Sequence, residues 1–365
     1  MSIDLSVQGQ SRPQLQKAIE DLVEDGFLGI QLRVDDERGE WVGSAGVREL
    51  GRSARPLTTG HFRIGSSTKS FVATSVLLLV AEDRIGLDVP VAYYLPEVGL
   101  DRRITVRMLL QHTSGIFNHT GELHEDGTIV PGVPRQGKEW VDNRFMTYRP
   151  EELVRLSLSK PARFAPGAGW SYANTNYVLA RLVVERVTGR SFADELQRLV
   201  LGPLEMTGTV APGASPEIPG PHNHGYYRYE DAGRERTVDV TRQNPSWVGA
   251  GGDMISTTRD LHTYFSALMG GRLLPAELLA EMRTPEATAG YGLGVFAQET
   301  EGGTVFHHNG ATMGSAALMY SSADGGTTLT AGLTWVDDAD LSMAPAFRAA
   351  QQRLVGEVFC GAPGR

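Results

Sequence analysis

Residues 66–88 read SSTKSFVATSVLLLVAEDRIGLD, a run of largely apolar, helix-compatible residues with little polar interruption. Because its apolar residues point to every side of a helix, the run predicts a helix that is buried nearly all round and ends near Gly86. Ser66 and Lys69 form an S-x-x-K element at its start. Positions three apart share a helix face, so the lysine amine is expected near the serine hydroxyl.

A lysine can serve as the base for a serine nucleophile only when it is uncharged. A free lysine titrates near pH ~10.4, so work at pH 7 needs a pKa lowered by roughly three units, about 4 kcal/mol, through burial or neighbouring positive charge. The start of a buried helix can supply that burial. A second S-x-x-K element, Ser157 with Lys160, is expected at a solvated helix end and shows that the motif also arises by chance.

Tyr172-Ala173-Asn174 is the only Y-x-N element in the sequence. It lies in the turn-rich stretch APGAGWSYANTNY, which opens a helix that continues through 178–180, so the tyrosine can face a cleft. A phenol can pass a proton from the serine to a leaving group, and the Asn amide can hold both the lysine and a substrate carbonyl. Alone, the element also fits a loop with a half-buried aromatic residue.

A third element, His308-Asn309-Gly310, precedes a run typical of a β-strand, and Gly310 would let a substrate or another backbone approach the strand edge. The strand is expected to form one wall of the cleft. His119 begins a similar H-x-G pattern without a strand behind it, and it is not assigned to the site. No H-E-x-x-H or comparable helical pair occurs. The following are therefore predicted to be loop histidines rather than metal ligands: His112, His119, His124, His222 and His224.

Periodicity along the rest of the chain predicts helices and strands at both ends, with mostly helical segments between them. Helices are predicted at 13–26, 106–111, 150–158, 173–187, 257–269 and 345–358. Strands are predicted at 29–34 and 40–47, joined by a charged turn over 35–39, and at 305–307, 316–321 and 327–335. Residues 209–246, rich in Pro, Gly and charged residues, are expected to form a long surface excursion.

The composition excludes several classes of protein. The chain has 365 residues, with 41% hydrophobic and 21% charged residues, which is typical of a large globular protein. Its formal net charge is -9 and it has no basic block, so nucleic acid is not an expected partner. Its one cysteine, Cys360, argues against a cysteine nucleophile, a cysteine zinc site and an intrachain disulfide.

The sequence also bears on localisation. The first twenty residues lack the apolar run of a secretory leader, and the longest apolar stretch, 76–81, is too short to span a bilayer. As written, the chain is expected to be cytoplasmic, with no membrane segment. It is expected to be secreted if a leader has been removed.

In their order and context, S-x-x-K at 66, Y-x-N at 172 and H-x-G at 308 resemble the motifs of the penicillin-recognising serine hydrolases. This group includes streptomycete D-alanyl-D-alanine carboxypeptidase, class C β-lactamases, D-amino acid amidase, alkaline D-peptidase and related esterases. The resemblance covers nearly the whole chain and extends to these stretches: FRIGSSTKSF, ITVRMLLQHTSGI, FAPGAGWSYANTNYVLA, GGDMISTTRDL, YGLGV and HHNGATMG.

The resemblance implies an α/β (α+β) fold of the serine β-lactamase and penicillin-binding-protein type, with residues 1–365 as one serine-hydrolase domain. An α/β subdomain, 1–65 plus 247–365, would hold an antiparallel sheet flanked by helices. A mainly helical subdomain, 66–246, would be inserted in it. The site would lie between the two subdomains.

The resemblance also implies the catalytic roles. Ser66 would attack a carbonyl carbon to give an acyl-enzyme, without metal or cofactor. Lys69 and Tyr172 would move the proton, and Asn174 would orient them. His308 would assist from its strand.

The substrate-binding side departs from the carboxypeptidases. In the streptomycete enzyme an arginine follows Y-G-L-G-L and the third motif reads H-T-G-T, and these groups bind the free carboxylate of D-alanine. Here Phe296 follows YGLGV and the third motif reads H-N-G-A, so this carboxylate clamp is missing. An unpaired carboxylate is unfavourable in a partly dry cleft, which favours amides or esters that lack the charge. The residues assigned to substrate binding are Asn309, Gly310, Ala311, Phe296 and Trp247, with the backbone N–H groups of Ser66 and Ala311 as the oxyanion hole.

Three functions are compatible with these residues. The first is a serine hydrolase that cleaves amide, peptide or ester bonds of D-configured substrates. The second is an acyltransferase or peptide-releasing cyclase, in which an amine takes the acyl group in place of water. The third, a non-catalytic penicillin-binding sensor, is disfavoured because the sequence suggests no partner domain. The expected partner is a small-molecule or peptide substrate, with an amine as acyl acceptor in the second case.

Overall fold

An antiparallel sheet with helices on both faces forms the framework of the protein. The computed structural model describes residues 12–124 and 127–360. The α-helices in these two ranges are α1 (Pro13–Glu24), α2 (Thr68–Ala81), α3 (Val91–Tyr94), α4 (Val106–Gln111), α5 (Gly137–Asn143), α6 (Pro150–Leu158), α7 (Asn174–Thr188), α8 (Phe192–Leu196), α9 (Thr258–Met269), α10 (Ala276–Arg283) and α11 (Ala344–Phe359). The strands in the same ranges are β1 (Gly29–Asp36), β2 (Gly39–Gly46), β3 (Phe62–Arg63), β4 (Glu122–Leu123), β5 (Ile129–Val130), β6 (Tyr226–Asp231), β7 (Arg234–Asp239), β8 (Ile255–Ser256), β9 (Phe296–Thr300), β10 (Gly303–His307), β11 (Gly310–Thr312), β12 (Ser315–Ser322), β13 (Thr328–Thr334) and β14 (Val336–Asp338).

The two ends of the chain meet in one seven-stranded sheet. Its order is β2-β1-β13-β12-β10-β9, with β11 also paired to β12. β1 runs antiparallel to β13, beginning at the pair Gly29 and Thr334. The predicted antiparallel sheet built from both chain ends is therefore confirmed. The first hairpin is tighter than its sequence suggests, because β1 and β2 continue to Asp36 and Gly39 and leave two residues in the turn.

Alternating side chains of β12 contribute to two hydrophobic cores, one on each face of the sheet. Leu318 and Tyr320 belong to the core that the sheet forms with α1 and α11. Ala317 and Met319 belong to the larger core, which contains most of the other helices. The apolar stripe predicted for α1 supplies its buried residues, which are Leu15, Ala18, Ile19 and Leu22.

The helix α2 is buried nearly all round, as its sequence predicts. Eleven of its 14 residues are buried, and a 3-10 turn at Gly65–Ser67 leads into it. The helix ends at Ala81 rather than near Gly86. It ends early because Asp83 adopts the left-handed backbone conformation, with a φ of 56°, which a right-handed helix cannot continue through.

Apart from α2, the ends of the predicted helices and strands agree with the structure to within two residues. The helices α3, α5, α8 and α10 and a π-helix at Gln197–Leu201 are missing from the prediction. Each of them has eight residues or fewer. In segments as short as these, a helical period seldom stands out from neighbouring loops.

Residues 209–246, predicted to form a long surface excursion, contain two strands in their middle, of which β7 is mainly exposed. β6 and β7 form a hairpin there, and β6 pairs in parallel with β14. The turn between β6 and β7 consists of Ala232 and Gly233, whose φ angles are 51° and 76°. Tyr227 is fully buried, and its ring lies 5.3 Å from that of Trp140. The many charged residues of the hairpin obscure its strands in the sequence. The division into an α/β and a helical subdomain stays a prediction.

The strand β11 lies directly against the turn that precedes α2. A Cβ atom at Gly310 would come within 2.0 Å of the Ile64 carbonyl oxygen and 2.4 Å of the Ser66 backbone nitrogen. Both are backbone atoms, which cannot swing aside as the end of a side chain can. The missing side chain at Gly310 therefore allows the strand to approach the Ser66 backbone.

Gly310→Ala should lower the free energy of unfolding by about 1–3 kcal/mol, because the added methyl group forces backbone atoms apart in a packed region. The matched control is Gly356→Ala in α11, where a Cβ meets nothing within 4 Å. This second variant should gain roughly 0.5–1 kcal/mol, because alanine favours a helix over glycine. Urea unfolding of both variants measures the difference, and equal stability of the two would contradict the close approach.

Candidate active site

The S-x-x-K element brings Ser66 and Lys69 together. Ser66 lies in the 3-10 turn before α2, and Lys69 lies in the first turn of the helix. The Ser66 residue is half-buried, whereas Lys69 is 0% exposed. The Lys69 Nζ atom lies 3.2 Å from Ser66 Oγ. A nucleophile that faces the cleft and a buried amine behind it are thus within hydrogen-bonding distance.

Two further oxygens surround the Lys69 amine. Nζ donates to Asn174 Oδ1 at 2.7 Å and to the Gly251 carbonyl oxygen at 2.5 Å. Burial lowers the pKa of Lys69 well below its usual range. A neutral amine has two hydrogens, and both are used by these oxygens, which can only accept. In this neutral form the remaining lone pair faces Ser66, so that Lys69 can accept the serine proton.

One carboxyl group opposes this effect. The charge of Asp253 raises the pKa of Lys69, but less than burial lowers it. Asp253 is itself buried, which raises its own pKa to about 6, and Arg181 Nη1 lies 3.7 Å from its carboxylate. Asp253 is therefore mostly ionised at neutral pH, and its carboxylate forms an ion pair with Arg181.

The hydrogen bond of the Asn174 amide nitrogen fixes the orientation of the amide. Asn174 Nδ2 donates to Thr120 Oγ1 at 3.1 Å. Thr120 Oγ1 in turn donates to Asn118 Oδ1 at 3.0 Å, and the same oxygen accepts the Asn174 backbone N–H. The amide nitrogen is therefore occupied away from Lys69, and the amide oxygen must face the amine.

Tyr172 completes the group around the serine. Its phenol forms a hydrogen bond with the Ser66 side chain, and burial raises its pKa above the ordinary value. The phenol therefore keeps its proton at neutral pH and can donate it to Ser66 Oγ, whose own proton faces Lys69. Lys69 Nζ lies 4.6 Å from the centre of the Tyr172 ring. The sequence-predicted Ser66, Lys69, Tyr172 and Asn174 thus form one contiguous cluster.

His308 lies beside this cluster, but both of its ring nitrogens face other protein groups. Nδ1 is 3.0 Å from the Asn309 carbonyl oxygen, and Nε2 is 3.0 Å from Tyr291 Oη. Tyr291 Oη lies 3.1 Å from Tyr177 Oη. Burial keeps the pKa of His308 well below its usual range. The neutral ring therefore orients Tyr291, and its assistance to catalysis stays a prediction.

The predicted oxyanion-hole residues lie on neighbouring backbones. A Cβ atom at Gly65 would come within 2.6 Å of the Ala311 nitrogen, just as one at Gly310 would crowd the Ser66 nitrogen. The close approach of β11 to the 3-10 turn thus brings the backbones of Ser66 and Ala311 side by side.

Asn309 does not face the cleft, which corrects its assignment to substrate binding. Its Nδ2 donates to Tyr320 Oη at 2.6 Å and to Gln351 Oε1 at 3.3 Å, and its Oδ1 accepts the Met319 backbone N–H. The side chain therefore ties the end of β10 to β12 and α11. Side chains alternate along an extended chain, so it points away from its neighbour His308.

The other two assigned residues are half-buried. The Phe296 ring is stacked on that of His307, 5.2 Å between centres and 14° between planes, and it meets the Tyr291 ring edge-on at 4.5 Å. Trp247 packs against the helical core, and its carbonyl oxygen lies 3.1 Å from His119 Nε2. Their contact with substrate stays a prediction.

Two histidines predicted to be ordinary loop residues are part of the support of the site. His112 and His119 are both fully buried, and His119 Nδ1 lies 3.0 Å from Thr175 Oγ1 at the start of α7. The only sequence signal for them is their place in the stretch QHTSGIFNHTG. In the described ranges, no three His, Cys, Asp or Glu residues are grouped so as to hold a metal ion.

The serine of the second S-x-x-K element has a different hydrogen-bond partner. Ser157 is at the end of α6, as predicted, but it is buried rather than solvated. Its hydroxyl donates to the Phe117 carbonyl oxygen. Ser157 is therefore used to fix a loop and is a natural control for Ser66.

The chain was compared with known families and structures. A family model described as Beta-lactamase matches residues 15–344. The crystal structure of a D-stereospecific amidohydrolase from Streptomyces sp. superposes with a TM-score of 0.82 and 35% sequence identity, over 97% of this chain and 100% of that one. D-amino acid amidase from Ochrobactrum anthropi SV3, complexed with D-phenylalanine, gives a TM-score of 0.80 over 96% of this chain and 99% of that one. At 24% identity, the second likeness shows the fold alone.

Curated relatives match over shorter stretches. Esterase EstB from Burkholderia gladioli is 36% identical over 180 residues, which cover 47% of this chain and 43% of the esterase. The putative penicillin-binding protein PbpX from Bacillus subtilis is 26% identical over 285 residues, 77% of this chain and 65% of that protein. The chain thus spans less than two thirds of the length of either relative. The family match over most of the chain nevertheless confirms the resemblance and its fold: the protein belongs to the Beta-lactamase family.

Proposed function

We propose that the protein is a serine hydrolase that forms an acyl-enzyme on Ser66 and cleaves amide, peptide or ester bonds of D-configured substrates. The observation that carries the proposal is the buried Lys69 amine, which lies 3.2 Å from Ser66 Oγ and has two acceptor oxygens for the hydrogens of its neutral form. The solved amidohydrolase from Streptomyces sp., similar over its full length, is described as D-stereospecific, which supports the substrate class.

In the acylation step, Ser66 Oγ bonds to the substrate carbonyl carbon, and its proton moves to Lys69. The carbonyl oxygen becomes an oxyanion, which the backbone N–H groups of Ser66 and Ala311 stabilise. When the C–N bond then breaks, the leaving nitrogen takes the Tyr172 proton and Tyr172 takes the extra proton of Lys69. The net result is an acylated serine, a free amine and unchanged Lys69 and Tyr172.

In the deacylation step, a water molecule bonds to the acyl carbon and gives its proton to Lys69. The C–Oγ bond breaks, and Ser66 takes that proton back. The product is a carboxylic acid, and the enzyme returns to its starting state.

The proposed partner is a small-molecule or peptide substrate without a free carboxylate at the leaving group. Phe296 is packed on His307, and the Asn309 amide is bonded to Tyr320, so neither supplies the missing clamp. In the described ranges, the structure contains no helix with the length and apolar character needed to cross a bilayer.

Incubation with a fluorophosphonate should add one adduct mass to the peptide that contains Ser66, because the Ser66 hydroxyl lies 3.2 Å from the buried Lys69 amine. Ser66→Ala should abolish the adduct. Ser157→Ala is the matched control and should retain it, because the Ser157 hydroxyl is bonded to a carbonyl oxygen. Peptide mass spectrometry checks both results, and an adduct that survives in Ser66→Ala would refute the nucleophile.

Asn174→Asp should move the acid limb of the kcat/KM profile to higher pH. A carboxylate in place of the amide oxygen, 2.7 Å from Lys69 Nζ, raises the pKa of the lysine, and the base works only when deprotonated. A neighbouring opposite charge typically shifts a pKa by about 1–3 units. Activity at pH 7 should therefore fall and recover at alkaline pH. A uniform loss at every pH would show that Asn174 does not act through the charge of Lys69.

A peptide that ends in D-alanine amide should be cleaved at least tenfold better, by kcat/KM, than the same peptide ending in free D-alanine. Each missing charge-assisted hydrogen bond corresponds to roughly 1.5–3 kcal/mol, or about ten- to a hundredfold in specificity. The two substrates differ only in the terminal charge, which makes them a matched pair. Faster release of free D-alanine would mean that another basic group has replaced the clamp.

A further inference from the structure

The residues before and after Tyr172 both donate a backbone hydrogen bond to the same residue. The Ser171 N–H donates to the His112 carbonyl oxygen at 3.0 Å. The Ala173 N–H donates to His112 Nδ1 at 3.2 Å. The His112 and Tyr172 rings lie 4.3 Å apart between centres, at 37°. His112 thus contacts the tyrosine on its ring and on both sides of its backbone.

The backbone of His112 is itself held in an unusual conformation. It follows α4 with a φ of 62°, in the left-handed region. This conformation turns its carbonyl oxygen and its side chain towards the same segment, 171–173. The Asn176 Nδ2 atom lies 3.1 Å from His112 Nδ1, and Asn176 Oδ1 accepts the Ser114 hydroxyl. The ring therefore has little freedom to rotate.

The charge of His112 is also defined by its contacts. Nδ1 accepts the Ala173 N–H, so the neutral ring carries its hydrogen on Nε2. Burial keeps the pKa of His112 well below its usual range. Protonation would put a hydrogen on Nδ1 and break the bond to Ala173. The neutral form is therefore the one that fits the Tyr172 segment.

We propose that His112 is a positioning residue that aims the Tyr172 phenol at the leaving group. It acts through two hydrogen bonds to backbone N–H groups and a ring contact, and its side chain is fully buried. The inference rests on the proposed function, in which Tyr172 protonates the leaving nitrogen. It predicts that changes at position 112 affect only those reactions that need this proton.

Two substrates of the same D-amino acid separate this role from general damage. An amide nitrogen must be protonated to leave, whereas p-nitrophenolate leaves without a proton. The test uses the D-amino acid amide that the wild type cleaves fastest, and the p-nitrophenyl ester of that amino acid. Tyr172→Phe should lower kcat/KM about a hundredfold for the amide and less than tenfold for the ester. An equal loss for both substrates would overturn the proposed role of Tyr172 itself.

His112→Phe keeps a ring but removes the acceptor for the Ala173 N–H. It should lower kcat/KM for the amide at least tenfold more than for the ester. In a Tyr172→Phe background it should lower kcat/KM for the amide less than twofold further, because the effects of residues in one catalytic unit are not additive. His112→Asn offers an oxygen near the Nδ1 position and tolerates the left-handed backbone, so its amide-to-ester ratio should stay within about threefold of the wild type.

Thermal unfolding of each variant shows whether it folds. If His112→Phe does not fold, His112→Gln replaces it under the same criterion, because its longer side chain displaces the acceptor. Provided that Tyr172→Phe is selective for the amide, the inference is overturned if His112→Phe, or its replacement, lowers kcat/KM equally for both substrates. It is also overturned if the losses in kcat/KM caused by His112→Phe and Tyr172→Phe multiply in the double variant. A loss of amide cleavage in His112→Asn that is as selective as that in His112→Phe would overturn it as well.

Discussion

The burial of the Lys69 amine between two acceptor oxygens is the constraint on which the rest of the site depends. A buried ammonium is disfavoured, which lowers the pKa of Lys69 and favours the neutral amine, and Asn174 and Gly251 accept both hydrogens of that form. The lone pair is then left for Ser66. This arrangement requires α2, α7 and the segment before β8 to be held at hydrogen-bonding distance from one another. If one of these elements moved by about an ångström, the lone pair would face solvent or another donor instead of Ser66.

The loop after α4 provides much of that support. His112 holds the backbone on both sides of Tyr172, Asn118 and Thr120 orient the Asn174 amide, and His119 bonds to Thr175 and to the Trp247 carbonyl. One short loop therefore fixes the phenol, the amide and the start of α7. Hydrogen bonds in a buried network strengthen one another and can specify a single geometry. Rigid support of this kind is what a proton relay needs.

The three motifs were recognisable from the sequence because each has a local geometric basis. Positions 66 and 69 share a helix face, and Gly310 marks a place where two backbones meet. The helix ends at 106–111 and 150–158 are also correct, since periodicity and punctuation agree there. The direction of the Asn309 side chain was not predictable, because it depends on Tyr320 and Gln351, which lie far along the chain. The burial of His112 and of Tyr227 likewise arises from tertiary contacts that no local pattern encodes.

The protonation state of Lys69 in the free enzyme tests the account most directly. The sequence has four lysines, Lys17, Lys69, Lys138 and Lys160, so their ε-carbon resonances can be resolved by 13C NMR and assigned with Lys69→Ala. The account predicts that Lys69 gives the shift of an uncharged amine at pH 7. Lys17 and Lys138, whose pKa values are raised by Asp21 and Asp142, should remain charged there. A Lys69 resonance that stays charged at pH 7 and titrates together with those two would contradict the central claim.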